Sequence, residues 1–200
     1  VTLFFCIFVE YKFDDMKKII FLSLIFLAFK LNAQSTKTIS GVKFPTNTTV
    51  GTKELVLNGG GLREKYFFDL YVAALYLKAK SNEAGKVVYN DAEMAIHIKI
   101  VSDKVTREKF IETVKEGFAT VTHGKATKDQ INKFTGFFSD DIKKGDKIHL
   151  EFVPGTGLQV KKNGTLKGTI AGLEFKQALF SIWLGDKPVD DDLKKELLGK

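Results

Sequence analysis

The spacing of apolar and polar residues changes several times along the chain, and each change marks an element. In residues 95–101, Ile96, Ile98 and Ile100 alternate with His97 and Lys99, the period of a strand with one polar face. In residues 147–153, Ile148, Leu150 and Phe152 alternate in the same way with His149 and Glu151. Leu55-Val56-Leu57 reads as a further strand. Asn58-Gly59-Gly60-Gly61 behind it reads as a turn or bulge, where glycine adopts positive φ cheaply. Residues 66–77 form a long apolar segment whose periodicity does not separate strand from buried helix. Its aromatics and the preceding glycines favour a strand. Residues 34–39 are polar and read as loose.

Helical spacing appears between and after these strands. Phe110, Val114 and Phe118 share one helical face behind Thr106, an N-cap with Val105 and Phe110 at staple positions. The capping box Thr127-x-x-Gln130 opens a second helix that buries Ile131, Phe134 and Phe138. Pro154-Gly155-Thr156-Gly157 and Asn163-Gly164 mark two successive hairpins. Residues 173–184 form a third helix, with Phe175, Leu179 and Ile182 inward and Gly185 as its stop. Residues 190–198 form a short closing helix with acids at its start. Strands, helices, strands, helix is the order of an α+β domain with a mostly antiparallel sheet.

At 200 residues, 44% of them hydrophobic, the chain holds one domain with a sizeable core. Its net charge of +7 is scattered, which makes a solvated basic surface and not a nucleic-acid footprint. Met16-Lys17-Lys18, the apolar residues 19–29 and then Leu31-Asn32-Ala33-Gln34 have the form of a secretory signal. The true start is expected at Met16 and cleavage after Ala33, so that residues 1–33 are leader and signal. The apolar run falls short of the about 20 residues of a membrane span, so no stable span is expected. The product is expected in a bacterial periplasm or secreted. The single cysteine, Cys6, lies in the leader, so no disulfide, thiolate ligand or cysteine nucleophile is expected in the mature chain.

The three histidines, His97, His123 and His149, show no i,i+4 pair, and no metal site or other cofactor is expected. His97 and His149 alternate with buried aliphatics and are placed on the outer face of the sheet. The glycines at 59–61 match neither a P-loop nor a dinucleotide fingerprint. Arg63 follows them at the head of the aromatic strand. It either grips a carboxylate or phenolate by charge-assisted bonds or is an ordinary surface arginine. Tyr71 is expected to share a face with Phe67, Asp69, Ala73 and Leu75, and Tyr76 the opposite face with Phe68 and Leu70. Each tyrosine suits a core or a ligand pocket. Asp69, the one acid of that strand, is expected to pair with a base, Arg63 being the nearest candidate.

Together these blocks resemble the chalcone isomerase-like family. The resemblance is carried by Leu57-x-Gly-Gly-Gly-Leu-Arg63, Tyr71-Val-Ala-Ala-Leu-Tyr-Leu77, Lys144-Gly-Asp146, Pro154-Gly-Thr-Gly157, Asn163-Gly164 and Ile182-Trp-Leu-Gly185, over residues 41–199. It implies an open β-sandwich in which one large antiparallel sheet is covered by helices, with a ligand cleft between them. In the family's plant enzymes, an arginine of the glycine-rich turn positions the reacting phenolate, and Arg63 matches it. The plant threonine falls at Tyr71, the helical tyrosine and asparagine at Phe110 and Gly117, and a late-helix Thr/Ser near Ser181. Fatty-acid-binding relatives keep an arginine and a tyrosine for the carboxylate, a role that falls to Arg63 with Tyr71 or Tyr76. The resemblance thus implies a binder of a small amphipathic or aromatic ligand, a fatty acid first. The alternatives are an intramolecular lyase or isomerase using Arg63 and Ser181, and a non-catalytic interaction protein with a filled cleft and an unknown protein partner.

Overall fold

The computed structural model describes Ser35–Lys200, a compact unit with its own cores. Cys6, the expected signal and its cleavage site lie outside the described residues. In chain order the elements are β1 (Thr36–Ile39), β2 (Val42–Pro45), β3 (Asn47–Val50), β4 (Lys53–Lys65), β5 (Phe68–Leu77), α1 (Ala84–Tyr89), β6 (Met94–Ile100), α2 (Arg107–Thr120), α3 (Lys128–Gly136), β7 (Lys147–Val153), β8 (Gly157–Lys162), β9 (Thr165–Ile170), α4 (Leu173–Leu184) and α5 (Asp191–Leu197). β3 to β9 form one seven-stranded antiparallel meander in sequence order, while β1 and β2 pair as a separate hairpin. The fold is α+β, with a curled antiparallel sheet and helices. Residues 36–39, read as loose, are a strand, because Ile39 buries itself against the second face of the sheet. α1 carries too few turns to announce itself by periodicity.

Period-2 alternation divides the sheet into two faces. Tyr71, Ala73, Leu75, Ile96, Ile98, Ile148 and Leu150 face the helices and form the large core with Phe110, Phe118, Phe134 and Phe175. Val72, Ala74, Tyr76 and Ala95 face the other way, onto Ile39 and Phe44 of the hairpin. α4 is buried nearly all round, and its apolar sequence is broken only by Glu174, Lys176, Gln177 and Ser181. Its one cation, Lys176, sends Nζ to the carbonyls of Val88 (2.8 Å) and Asn90 (2.6 Å), tying α4 to the end of α1.

Two bulges reassign these faces where function gathers. Asn58 is an extra residue in β4, because Leu57 lies opposite Tyr76 while Gly59 lies opposite Leu75. Leu57 therefore faces the hairpin, whereas Gly59, Gly61 and Arg63 face the helices, although all four are odd-numbered. Without the bulge Arg63 would point to the wrong side of the sheet. Leu70 is the second extra residue: Arg63 opposes Tyr71, but Glu64 opposes Asp69. Asp69 and Phe67 therefore do not share Tyr71's face, as simple alternation would have it. Leu70 packs with the helix-side core and not with Tyr76.

The three glycines are also not a turn. All lie inside β4, and none has positive φ. Gly59 and Gly61 are needed because α5 crosses them closely, a Cβ on Gly59 colliding with the carbonyl oxygens of Glu196 and Leu197, while a Cβ on Gly60 would strike Ile39 of the hairpin on the other face. Asn58 fixes the same crossing, donating from Nδ2 to the carbonyl of Leu197 at 2.7 Å.

Candidate functional site

A cleft of about 560 Å³ opens between the β4–β5 end of the sheet and helices α2 and α4. Its apolar wall comes from Leu70, Val105, Phe110, Val114, Ile182 and Trp183. Arg63 and Tyr71, opposite one another across β4 and β5, supply the polar groups on the sheet side. A larger cleft of about 720 Å³ lies at the far end of β5, but lysines, glutamates and asparagines line much of it. What sets the first cleft apart is a continuous apolar wall facing the convergent pair Arg63 and Tyr71, although charged side chains line it too.

Arg63 is held from below. Its Nη1 donates to Oδ2 of Asp190 at 2.9 Å and to the carbonyl of Glu64 at 2.8 Å, and both members of the ion pair are largely buried. Asp190 reaches Arg63 because α5 lies over the glycines, and its Oδ1 simultaneously caps α5 by accepting from the N–H groups of Asp192 and Leu193. The expected partner, Asp69, is exposed on the other face of the ribbon, so the pairing partner comes from the far end of the chain instead.

Tyr71 OH accepts from Trp183 Nε1 at 2.9 Å. Burial pushes the Tyr71 hydroxyl up to about 12, against the opposing pull of the Trp183 N–H and the Arg63 charge. The phenol therefore stays protonated at neutral pH, and its O–H remains a donor. Arg63 and Tyr71 together present a guanidinium and a hydroxyl proton beside the apolar wall, in a cleft that Lys65, Lys104, Lys109, Glu112 and Glu116 also line.

The other residues singled out from sequence lie elsewhere. Tyr76 is on the opposite face, donating its hydroxyl to the carbonyl of Pro45 at 2.8 Å, so it does not join Arg63. Ser181 is buried and donates to the carbonyl of Gln177 at 2.7 Å within its own helix. Phe110 contributes an apolar wall of the cleft, and Gly117 lets α2 approach Ile182 of α4, whose side chain a Cβ at that position would strike. Neither offers a hydrogen bond from its side chain. Sequence reading missed Asp190 and the cleft lysines Lys65, Lys104 and Lys109. Trp183 was visible only as part of a motif.

Among the described residues, one cluster has the composition of a metal site: His97, His149 and Glu151 on neighbouring strands. It is not on a wet outer face, because the sheet curls over it and Tyr76 packs on His97. The imidazole centroids are 3.7 Å apart and the planes only 9° from parallel. In-plane lone pairs of two such stacked rings do not converge on one ion. Lys161 already neutralises Glu151 at 2.6 Å. The cluster as it stands fits an ion-pair network and not a metal centre.

The sequence pattern of the chalcone isomerase-like family matches residues 36–199. The chain belongs to this family. Among solved structures, it is similar to a fatty-acid binding protein of Arabidopsis thaliana, at 21% identity and a TM-score of 0.62, over 82% of this chain and 96% of that one. The fold is thus the family fold. No curated protein matches the chain. Within the chalcone isomerase-like fold, the cleft described above lies between sheet and helices.

Proposed function

We propose that the cleft binds the carboxylate end of an amphipathic acid, a fatty acid first among them. The observation that carries this reading is Arg63 beside a protonated Tyr71, facing the apolar wall of the cleft. A guanidinium and a neutral O–H are the complement of a carboxylate, and the cavity size falls within the roughly 300–1,000 Å³ of small-ligand sites. The similarity to a plant fatty-acid binding protein supports the same ligand class. Phe110 and Gly117, which stand where the resemblance puts a tyrosine and an asparagine, favour binding over ring closure. The signal-like pattern in residues 16–34 supports delivery of the mature chain outside the cytoplasm.

Native mass spectrometry of the purified protein, followed by solvent extraction, tests the reading. An extracted fatty acid is expected from the parent and is expected to be largely lost from Arg63→Ala. An empty parent that also refuses added fatty acid, or equal occupancy in the variant, contradicts it. Turnover of an enone by the parent and not by the variant would favour the isomerase alternative.

A further inference from the structure

The turn between β4 and β5 is built at a cost that nothing inside the described residues explains. Its two central residues, Tyr66 and Phe67, have φ of 52° and 66°. Hairpins that need this left-handed backbone ordinarily use Asn-Gly, because a Cβ is strained there and a bulky one more so. Two large aromatics occupy the positions instead, and neither packs inward. Phe67 is 101% exposed, Tyr66 79% and Phe68 51%. Strain and solvated apolar surface both work against the fold, so these three adjacent rings have a use outside the core.

Their surroundings indicate the use. Tyr66 and Phe68 border the cleft, while Phe67 stands beyond it as the tip. Lys65 Nζ lies 5.6 Å from the Tyr66 ring centroid, and Lys104 Nζ lies 5.6 Å from that of Phe68. Lys109 borders the same opening. The acids of the hairpin, Glu64 and Asp69, oppose each other on the other face of the ribbon. The acids that do line the cleft, Glu112 and Glu116, sit one and two turns further along α2 than Lys109. Aromatic rings flanked by lysines at the level of the rings form the arrangement that suits a bilayer boundary with anionic headgroups. A protein partner fits less well, because three side chains at a turn fall far short of the roughly 800 Å² per partner of a standard interface.

We infer that this turn is a docking wedge for an anionic lipid surface. Phe67 enters the acyl boundary, Lys65 and Lys104 meet the headgroups, and the cleft then opens toward the lipid phase. An amphipathic acid reaches Arg63 from the bilayer without crossing water. This last step rests on the proposed ligand class; the docking itself does not.

Vesicle co-sedimentation of the protein spanning residues 35–200 tests the inference. Partition is expected onto phosphatidylcholine vesicles containing phosphatidylglycerol, weaker onto phosphatidylcholine alone, and reduced in about 0.5 M salt. Phe67→Gly removes the tip and suits the local φ, so the thermal midpoint is expected to rise while partition falls about fivefold. Because Phe67 does not line the cleft, titration with oleate in lipid-free solution is expected to be unchanged in this variant. No partition by the parent, or equal partition by Phe67→Gly, overturns the docking wedge. Oleate binding without vesicle partition would remove the wedge and leave the ligand reading standing. Vesicle partition without oleate binding would do the reverse.

Discussion

Asp190 uses its two carboxylate oxygens for different purposes. Oδ1 caps α5, and Oδ2 holds the guanidinium of Arg63. The second contact makes Asp190 an internal competitor for any ligand carboxylate, which has to share or displace it. Asparagine caps a helix about as well as aspartate but carries no charge. Asp190→Asn is therefore expected to keep the cap, to cost about 1–3 kcal/mol of stability in the ligand-free protein because the largely buried guanidinium loses its counter-charge, and to tighten fatty-acid binding about three- to tenfold. Isothermal titration alongside thermal unfolding measures both, and weaker binding in this variant would mean that Asp190 orients Arg63 more than it competes with it. None of this was legible locally. Arg63 stood out in the sequence, but its partner lies 127 positions away, and proximity in sequence pointed to Asp69 instead.

At the scale of elements, strong periodicity was a reliable guide. β6, β7, α2, α3 and α4 form where the 2.0 and 3.6 spacings place them, with Thr106 and Thr127 as the N-caps. The β4–β5 ribbon was harder, because a bulge reverses which residues face inward and leaves no mark in the hydrophobic pattern. Asn58 shifts the parity of β4 and Leu70 that of β5, and because of the second, simple alternation misplaced Phe67, Phe68, Asp69 and Leu70. The glycines at 59–61 were visible, but for Gly59 and Gly61 the cause is a helix that arrives about 130 residues later. Because backbone carbonyls block the added methyl, Gly59→Ala is expected to cost more than about 2 kcal/mol and to loosen α5. Urea unfolding with hydrogen exchange across residues 190–198 checks this; an unaltered α5 would show that the crossing has slack.

For the whole molecule, the curl of the sheet matters most away from the cleft. It buries His97, whose Nε2 has no hydrogen-bond partner among the described residues, and desolvation pushes the ring down to about 4. The folded value lies below the usual 6.5, so between the two the unfolded chain binds a proton that the fold refuses. Stability is therefore fully present above about pH 6.5 and falls by about 3 kcal/mol as the pH drops through the window to about 4. Burial alone would raise Glu151, but the nearby rings of His149 and His97 and the hydrogen bond from Lys161 outweigh that and hold it below the usual carboxylate range. Acid is thus expected to remove its contribution as well, below the range in which His97 acts. Denaturant unfolding at pH 7 and pH 4.5 measures the loss, which His97→Gln should reduce. A flat profile would show that the cluster takes up protons without opening the sheet.

The cleft joins Arg63 and Tyr71 to an apolar wall, and the chain carries its own reporter there. Trp183 is the only tryptophan, it lines the cleft, and its N–H is bonded to Tyr71. Titrating its emission with a long-chain fatty acid and with the methyl ester of that acid tests the carboxylate reading most directly. A saturable response to the acid is expected, weakened at least about tenfold either by esterification or by Arg63→Ala. If acid and ester gave equal responses, and Arg63→Ala left both unchanged, the cavity would be only an apolar hole and Arg63 no part of its recognition.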